Sequence, residues 1–140
     1  MKAIHTSLFV GLVLFLNLSF EKAENGKKFC DIEIVQAYTQ EVLGKNVGFY
    51  VKFKNNAEVE MDAIDYQVTF LNGFGEIKGQ KQFTWQSGNL SKPIKPGQNL
   101  SEGSTNWIDG ANKIEVKIIR AHFVDGSTCK GQSDKTTRLR

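Results

Sequence analysis

The chain reads as an all-β protein of about seven short antiparallel strands packed as two sheets. Three observations lead there. Apolar residues recur with a period of two, turn-forming dipeptides separate the periodic runs, and the body of the chain alternates as strands do rather than as helices do.

The periodicity is clearest in three runs. In Asn46 to Lys54 (NVGFYVKFK), Val47, Phe49, Val51 and Phe53 fall on one side, and Gly48, Tyr50, Lys52 and Lys54 on the other. In Ile64 to Leu71 (IDYQVTFL), Ile64, Tyr66, Val68 and Phe70 repeat the pattern. In Lys113 to Ile118, Ile114, Val116 and Ile118 do so again. Such alternation belongs to half-buried strands with one face on a core and one in water. After Ile118 the apolar set changes phase, to Ile119, Ala121 and Phe123, as a bulge or a change of partner sheet would require.

Turn chemistry sets the boundaries. Asn72-Gly73 and Asp125-Gly126 suit two-residue hairpins that need positive φ. Pro96-Gly97 and Asp109-Gly110 mark two further turns, and Gly44-Lys45-Asn46 joins the first two strands. The expected strands are about 31–38, 46–54, 63–71, 76–85, 98–107, 112–123 and 127–131. Seven short strands in about 105 residues favour an immunoglobulin-like antiparallel β-sandwich, with a small barrel as the alternative. The central Cys-Trp-Cys arrangement of antibody domains is absent.

The chain opens with an export signal. Lys2 supplies a positive start, and Leu8 to Phe20 (LFVGLVLFLNLSF) is an apolar run too short to span a bilayer. An uncleaved anchor is the competing reading. The expected organisation is a signal peptide at 1–23, a sandwich domain at 24–131 and a flexible basic tail at 132–140. Ala23 marks one cleavage point and Ser19 another. Removing the signal leaves about 117 residues, enough for one core.

Cys30 and Cys129 are the two cysteines, one near each end of the domain. An even count in an exported chain predicts a disulfide, and the pairing places the first and last strands side by side. Closing so long a loop stabilises by roughly 4.7 kcal/mol in the chain-entropy model. Two cysteines so far apart lack the short paired spacing of zinc sites, and no metal or other cofactor is expected.

Charge and composition exclude more than they select. The formal net charge is +3, with the charges interspersed and the only basic cluster in the tail, so a nucleic-acid role is not expected. His122 is the one histidine outside the signal, and nearby Asp125 can orient it, but no nucleophile motif flanks it. Glu58, Glu60, Asp62 and Asp65 cluster before the third strand, as a solvated acidic loop does, and match no calcium-loop spacing. Trp85, Trp107 and Phe74 are the candidate binding surface. Each lies at a strand end or in a turn, where an aromatic side chain either caps the core or meets a partner.

One stretch resembles a known kind of module. Val51 to Glu76 (VKFKNNAEVEMDAIDYQVTFLNGFGE), Ile94-Lys95-Pro96-Gly97 and the run from Ala121 to Ser127 are similar to bacterial extracellular immunoglobulin-like modules of the FxLYD-like kind. The match departs at Phe70-Leu71-Asn72, where those modules have a Leu-Tyr-Asp-like sequence. What the resemblance implies is a fold, because such modules share no activity. The expected function is therefore an exported, periplasmic or secreted, non-catalytic binding module for a protein or a surface polymer. It is not expected to insert into the membrane once its signal is cleaved. The alternatives are an inhibitor or accessory protein docking on an exported enzyme through a loop such as 86–97, and a small secreted hydrolase.

Overall fold

The computed structural model describes residues 29–41, 46–131 and 137–139. The proposed signal segment, its cleavage point and most of the tail lie outside the described residues.

The seven expected strands are present, each within about three residues of its expected limits. They are β1 (Ile32–Glu41), β2 (Asn46–Asn55), β3 (Met61–Leu71), β4 (Ile77–Gln86), β5 (Asn99–Trp107), β6 (Lys113–Phe123) and β7 (Thr128–Lys130). They form two antiparallel sheets, one ordered β1-β2-β5 and the other β4-β3-β6-β7. This is an immunoglobulin-like sandwich in which the fourth strand extends the sheet of β3, and the barrel alternative is set aside. A short β8 (Thr137–Leu139) pairs with β6 at Ile114–Val116. On the edge of β6 away from β3, β7 occupies Arg120–His122 and β8 occupies Ile114–Val116.

The core forms where the inward rows of β2, β3 and β6 meet. Val51, Phe53, Ile64, Val68, Phe70, Ile114 and Val116 are essentially sealed from solvent. Rings bridge the two sheets, with Phe53 against Tyr66 at 4.9 Å between centroids and Phe49 against Phe83 at 4.8 Å. Offset and tilted ring pairs at such distances add to the effect of burial.

The phase change in β6 is a bulge. Tyr66 pairs with Ile118 and Asp65 with Arg120, so Ile119 is the extra residue opposite β3. The bulge returns Ala121 and Phe123 to the core side.

The β3–β4 connection is wider than the two-residue hairpin expected at Asn72-Gly73. The Asn72 side-chain oxygen accepts from the backbone N–H groups of Phe74 and Glu76, at 3.0 and 2.9 Å. That capping holds a five-residue loop in which Gly75, at φ 85°, takes the left-handed conformation. At the other end the Asp125-Gly126 turn is likewise a wider, four-residue connection between β6 and β7. Asp125 Oδ1 accepts from the Ser127 N–H at 2.9 Å and from its hydroxyl at 2.6 Å.

Cys30 and Cys129 form the expected disulfide, with Cα atoms 4.9 Å apart. The first and last strands, however, do not lie side by side as expected. β1 belongs to the opposite sheet, and it is the segment just before it that reaches β7. Phe29 bridges Lys130 in parallel, and the Cys30 N–H donates to the Lys130 carbonyl at 2.8 Å. The disulfide thus ties the start of the domain to the β7 edge of the β4-β3-β6-β7 sheet.

Candidate functional site

The strand directions decide which sequence candidates can act together. β4 runs toward the disulfide end of the sandwich and β5 runs away from it. Trp85 therefore lies at the disulfide end and Trp107 at the opposite end. The two tryptophans do not form one surface. Trp85 faces inward and is 9% exposed, so it belongs to the core and leaves the candidate binding surface. Phe74 is almost fully exposed in the β3–β4 loop, at the same end as Trp107.

Trp107 stands on the outer face of the β1-β2-β5 sheet. Inward-facing Phe49, Val51 and Phe53 turn the even-numbered residues of β2 to the outside, and the β2–β5 register turns the odd-numbered residues of β5 outward with them. On that face Tyr38 lies opposite Tyr50, and Tyr50 opposite Gly103; Gln40 lies opposite Gly48, and Gly48 opposite Thr105; Asn46 lies opposite Trp107. Trp107 is 74% exposed. Tyr38 and Tyr50 stack with centroids 5.1 Å apart, and the Tyr50 hydroxyl hydrogen-bonds the Ser101 hydroxyl at 2.9 Å. Ser101 lies one row nearer the disulfide end, so the Tyr50 ring reaches across toward β5, where Gly103 presents no side chain. The charged residues Glu33, Lys52 and Lys54 occupy the rows toward the disulfide end. Tyr50 carries one signal in the sequence, its place on the polar side of the Asn46 to Lys54 alternation; Tyr38 lies in β1, where a bulge interrupts the register, and carries none.

The outer face of the other sheet carries a polar groove of about 410 Å³ lined by Asp62, Asp65, Thr84, Gln86, Arg120 and His122. Asp65 is buried. It accepts from the Thr84 hydroxyl at 2.6 Å and from Arg120 Nε at 2.5 Å. The Thr84 hydrogen bond and the Arg120 guanidinium hold its carboxyl below the usual carboxylate range, against the opposing effect of desolvation. His122 Nδ1 lies 2.6 Å from Asp62 Oδ1. The expected partner of His122 was Asp125, its neighbour in sequence, but Asp125 caps its own turn. The β3–β6 pairing, with Ala63 opposite His122, brings Asp62 in from sixty positions away. The acidic cluster is therefore divided. Asp62 and Asp65 are paired on this face, and Glu58 lines a second groove of about 340 Å³ with Phe29, Val59 and the disulfide.

Among the described residues no group of three or more histidine, cysteine or acidic side chains is arranged to hold a metal ion. Glu102 and Tyr66 are the other perturbed groups. Burial pushes the Glu102 carboxyl up, and burial, with Glu102 nearby, pushes the Tyr66 hydroxyl up.

No family model matches the chain, and no curated protein matches it. Similar solved structures include a Northeast Structural Genomics Consortium target, SoR45, and a Bordetella pertussis protein given the name ApaA. The first is 13% identical at a TM-score of 0.46, over 77% of this chain and 83% of its own. The second is 10% identical at a TM-score of 0.44, over 81% of this chain and 91% of its own.

Proposed function

We propose that the chain is an exported, non-catalytic binding module of the FxLYD-like immunoglobulin-like kind. It holds its partner, a protein or a surface polymer, on the outer face of the β1-β2-β5 sheet. The observation that carries the reading is the exposure of Trp107 on the same sheet face as the stacked Tyr38 and Tyr50. A lone exposed apolar residue needs no explanation, but three large rings on one solvent-facing sheet supply contact area at low entropic cost. The disulfide supports an oxidising compartment, which fits export.

The test is co-sedimentation of the purified protein with extracellular and envelope material. Trp107→Ala and Tyr50→Ala are expected to lose retention, and Phe74→Ala, at the same end but off the face, to keep it. Retention of Trp107→Ala at the level of the parent protein refutes this surface.

One observation favours a second reading, an inhibitor docking on an exported enzyme. The β4–β5 connection, residues 87–98, presents Leu90 fully to solvent, and reciprocal hydrogen bonds between Gly88 and Ser91 tighten its tip. In that case Leu90→Ala, and not Trp107→Ala, loses the partner.

A further inference from the structure

We infer that the ligand of the aromatic face is an uncharged polysaccharide strand lying along β2 and β5 from Tyr50 to Trp107. The inference rests on the reading above and names the ligand's chemical class.

The first argument is charge. Over the rows from Tyr50 to Trp107, the outward side chains of the three strands carry no formal charge among the described residues. The charged rows begin only with Lys52 and continue to Lys54 and Glu33. A nucleic acid or an acidic polymer would be neutralised by lysine and arginine along its length, and this strip offers none.

The second argument is the kind of contact available. A sugar ring presents an apolar C–H face that packs on an aromatic ring, and a rim of hydroxyls that both donate and accept. The strip supplies both needs. Tyr50 and Trp107 are the platforms, and between them lie the Gln40 amide and the Thr105 hydroxyl, which donate and accept in the same way. A protein partner would instead call for an apolar centre in the contact surface. The exposed aliphatic side chains lie outside the strip: Val35 on β1 beside the rows of Lys52 and Phe53, and Ile77, Leu90 and Val124 on β4 and in two loops.

The third argument is spacing and rigidity. The rows of Tyr50 and Trp107 are four residues apart, roughly 13 Å along the strands. That exceeds one sugar ring, so both platforms are filled only by an oligomer. Tyr50 is pinned by Tyr38 on one side and the Ser101 hydroxyl on the other, so little side-chain freedom is lost on binding. Gly48 and Gly103 put no side chain beside the path.

The experiment is affinity electrophoresis and calorimetry of the purified protein against three probes. These are uncharged polysaccharides with their oligosaccharides of one to six units, acidic polysaccharides, and denatured collagen as a protein polymer. The expected result is retention by an uncharged polysaccharide, little changed by salt. Affinity should rise with oligosaccharide length beyond the single sugar. Trp107→Ala and Tyr50→Ala should each weaken it about tenfold or more, and Trp107→Phe should retain most of it. These side chains face solvent, so unchanged thermal melting separates lost binding from lost folding. Retention only by the acidic or protein polymer, still dependent on Trp107, overturns the ligand class and leaves the binding surface standing. No retention by any probe, or retention that survives both alanine substitutions, overturns the inference; if Trp107 also proves dispensable for co-sedimentation with envelope material, the surface falls with it.

Discussion

Asn55 closes the disulfide end of the sandwich. It is fully buried at the end of β2, and its side chain satisfies three backbone groups. Its amide donates to the carbonyls of Val59 and Ile94, at 2.8 and 2.9 Å, and its oxygen accepts from the Ala57 N–H at 3.1 Å. One residue thus fixes the β2–β3 loop and the segment leading into β5. Asn55→Ala removes all three of these hydrogen bonds at once, and is expected to cost about 3 kcal/mol in chemical denaturation. Glu102 shows the opposite case. Burial raises its carboxyl pKa from 4.5, so the folded state binds the proton more tightly than the unfolded one. Ionisation of Glu102 therefore costs stability as pH rises above 4.5, and acid removes that cost. Glu102→Gln is expected to raise the melting temperature at pH 7, with the gain disappearing as pH falls to 4.5. A gain independent of pH would assign the effect to something other than the charge.

Among the elements, β5 is legible as a strand but not as an edge. A β-carbon at Gly103 would stand 2.8 Å from the Phe49 carbonyl oxygen, so the approach of β2 to β5 needs glycine there. Gly103→Ala is expected to destabilise by about 1–3 kcal/mol, read as a shift in the denaturation midpoint. The strand limits were legible because alternation and turn residues are local signals. The pairing of β3 with β6, the Ile119 bulge that resolves the phase change, and the partnership of Asp62 with His122 were not. Each depends on which distant strand lies alongside, and alternation is silent on that. Trp85 and Trp107 were indistinguishable in the sequence for the same reason, and only Trp85 proves to belong to the core. Both sit at strand ends, and only strand direction and face distinguish a core residue from an exposed one.

For the whole molecule, the disulfide joins the chain before β1 to β7 and is the main covalent constraint on a domain of modest size. Replacing both cysteines with serine is expected to cost about 2–5 kcal/mol, seen as a lower melting temperature under non-reducing conditions. The same bond gathers the described start of the domain and its β7 edge at one end, leaving Trp107 at the other. The central claim, that the Trp107 face is the contact surface, is tested most directly by iodide quenching of tryptophan emission with and without envelope material. Trp85 is buried and Trp107 is exposed, so the quenchable emission belongs to Trp107. The account predicts that bound material shields this emission, and that Trp107→Phe abolishes both the quenching and the shielding. Emission that stays equally quenchable while the protein is bound would contradict it.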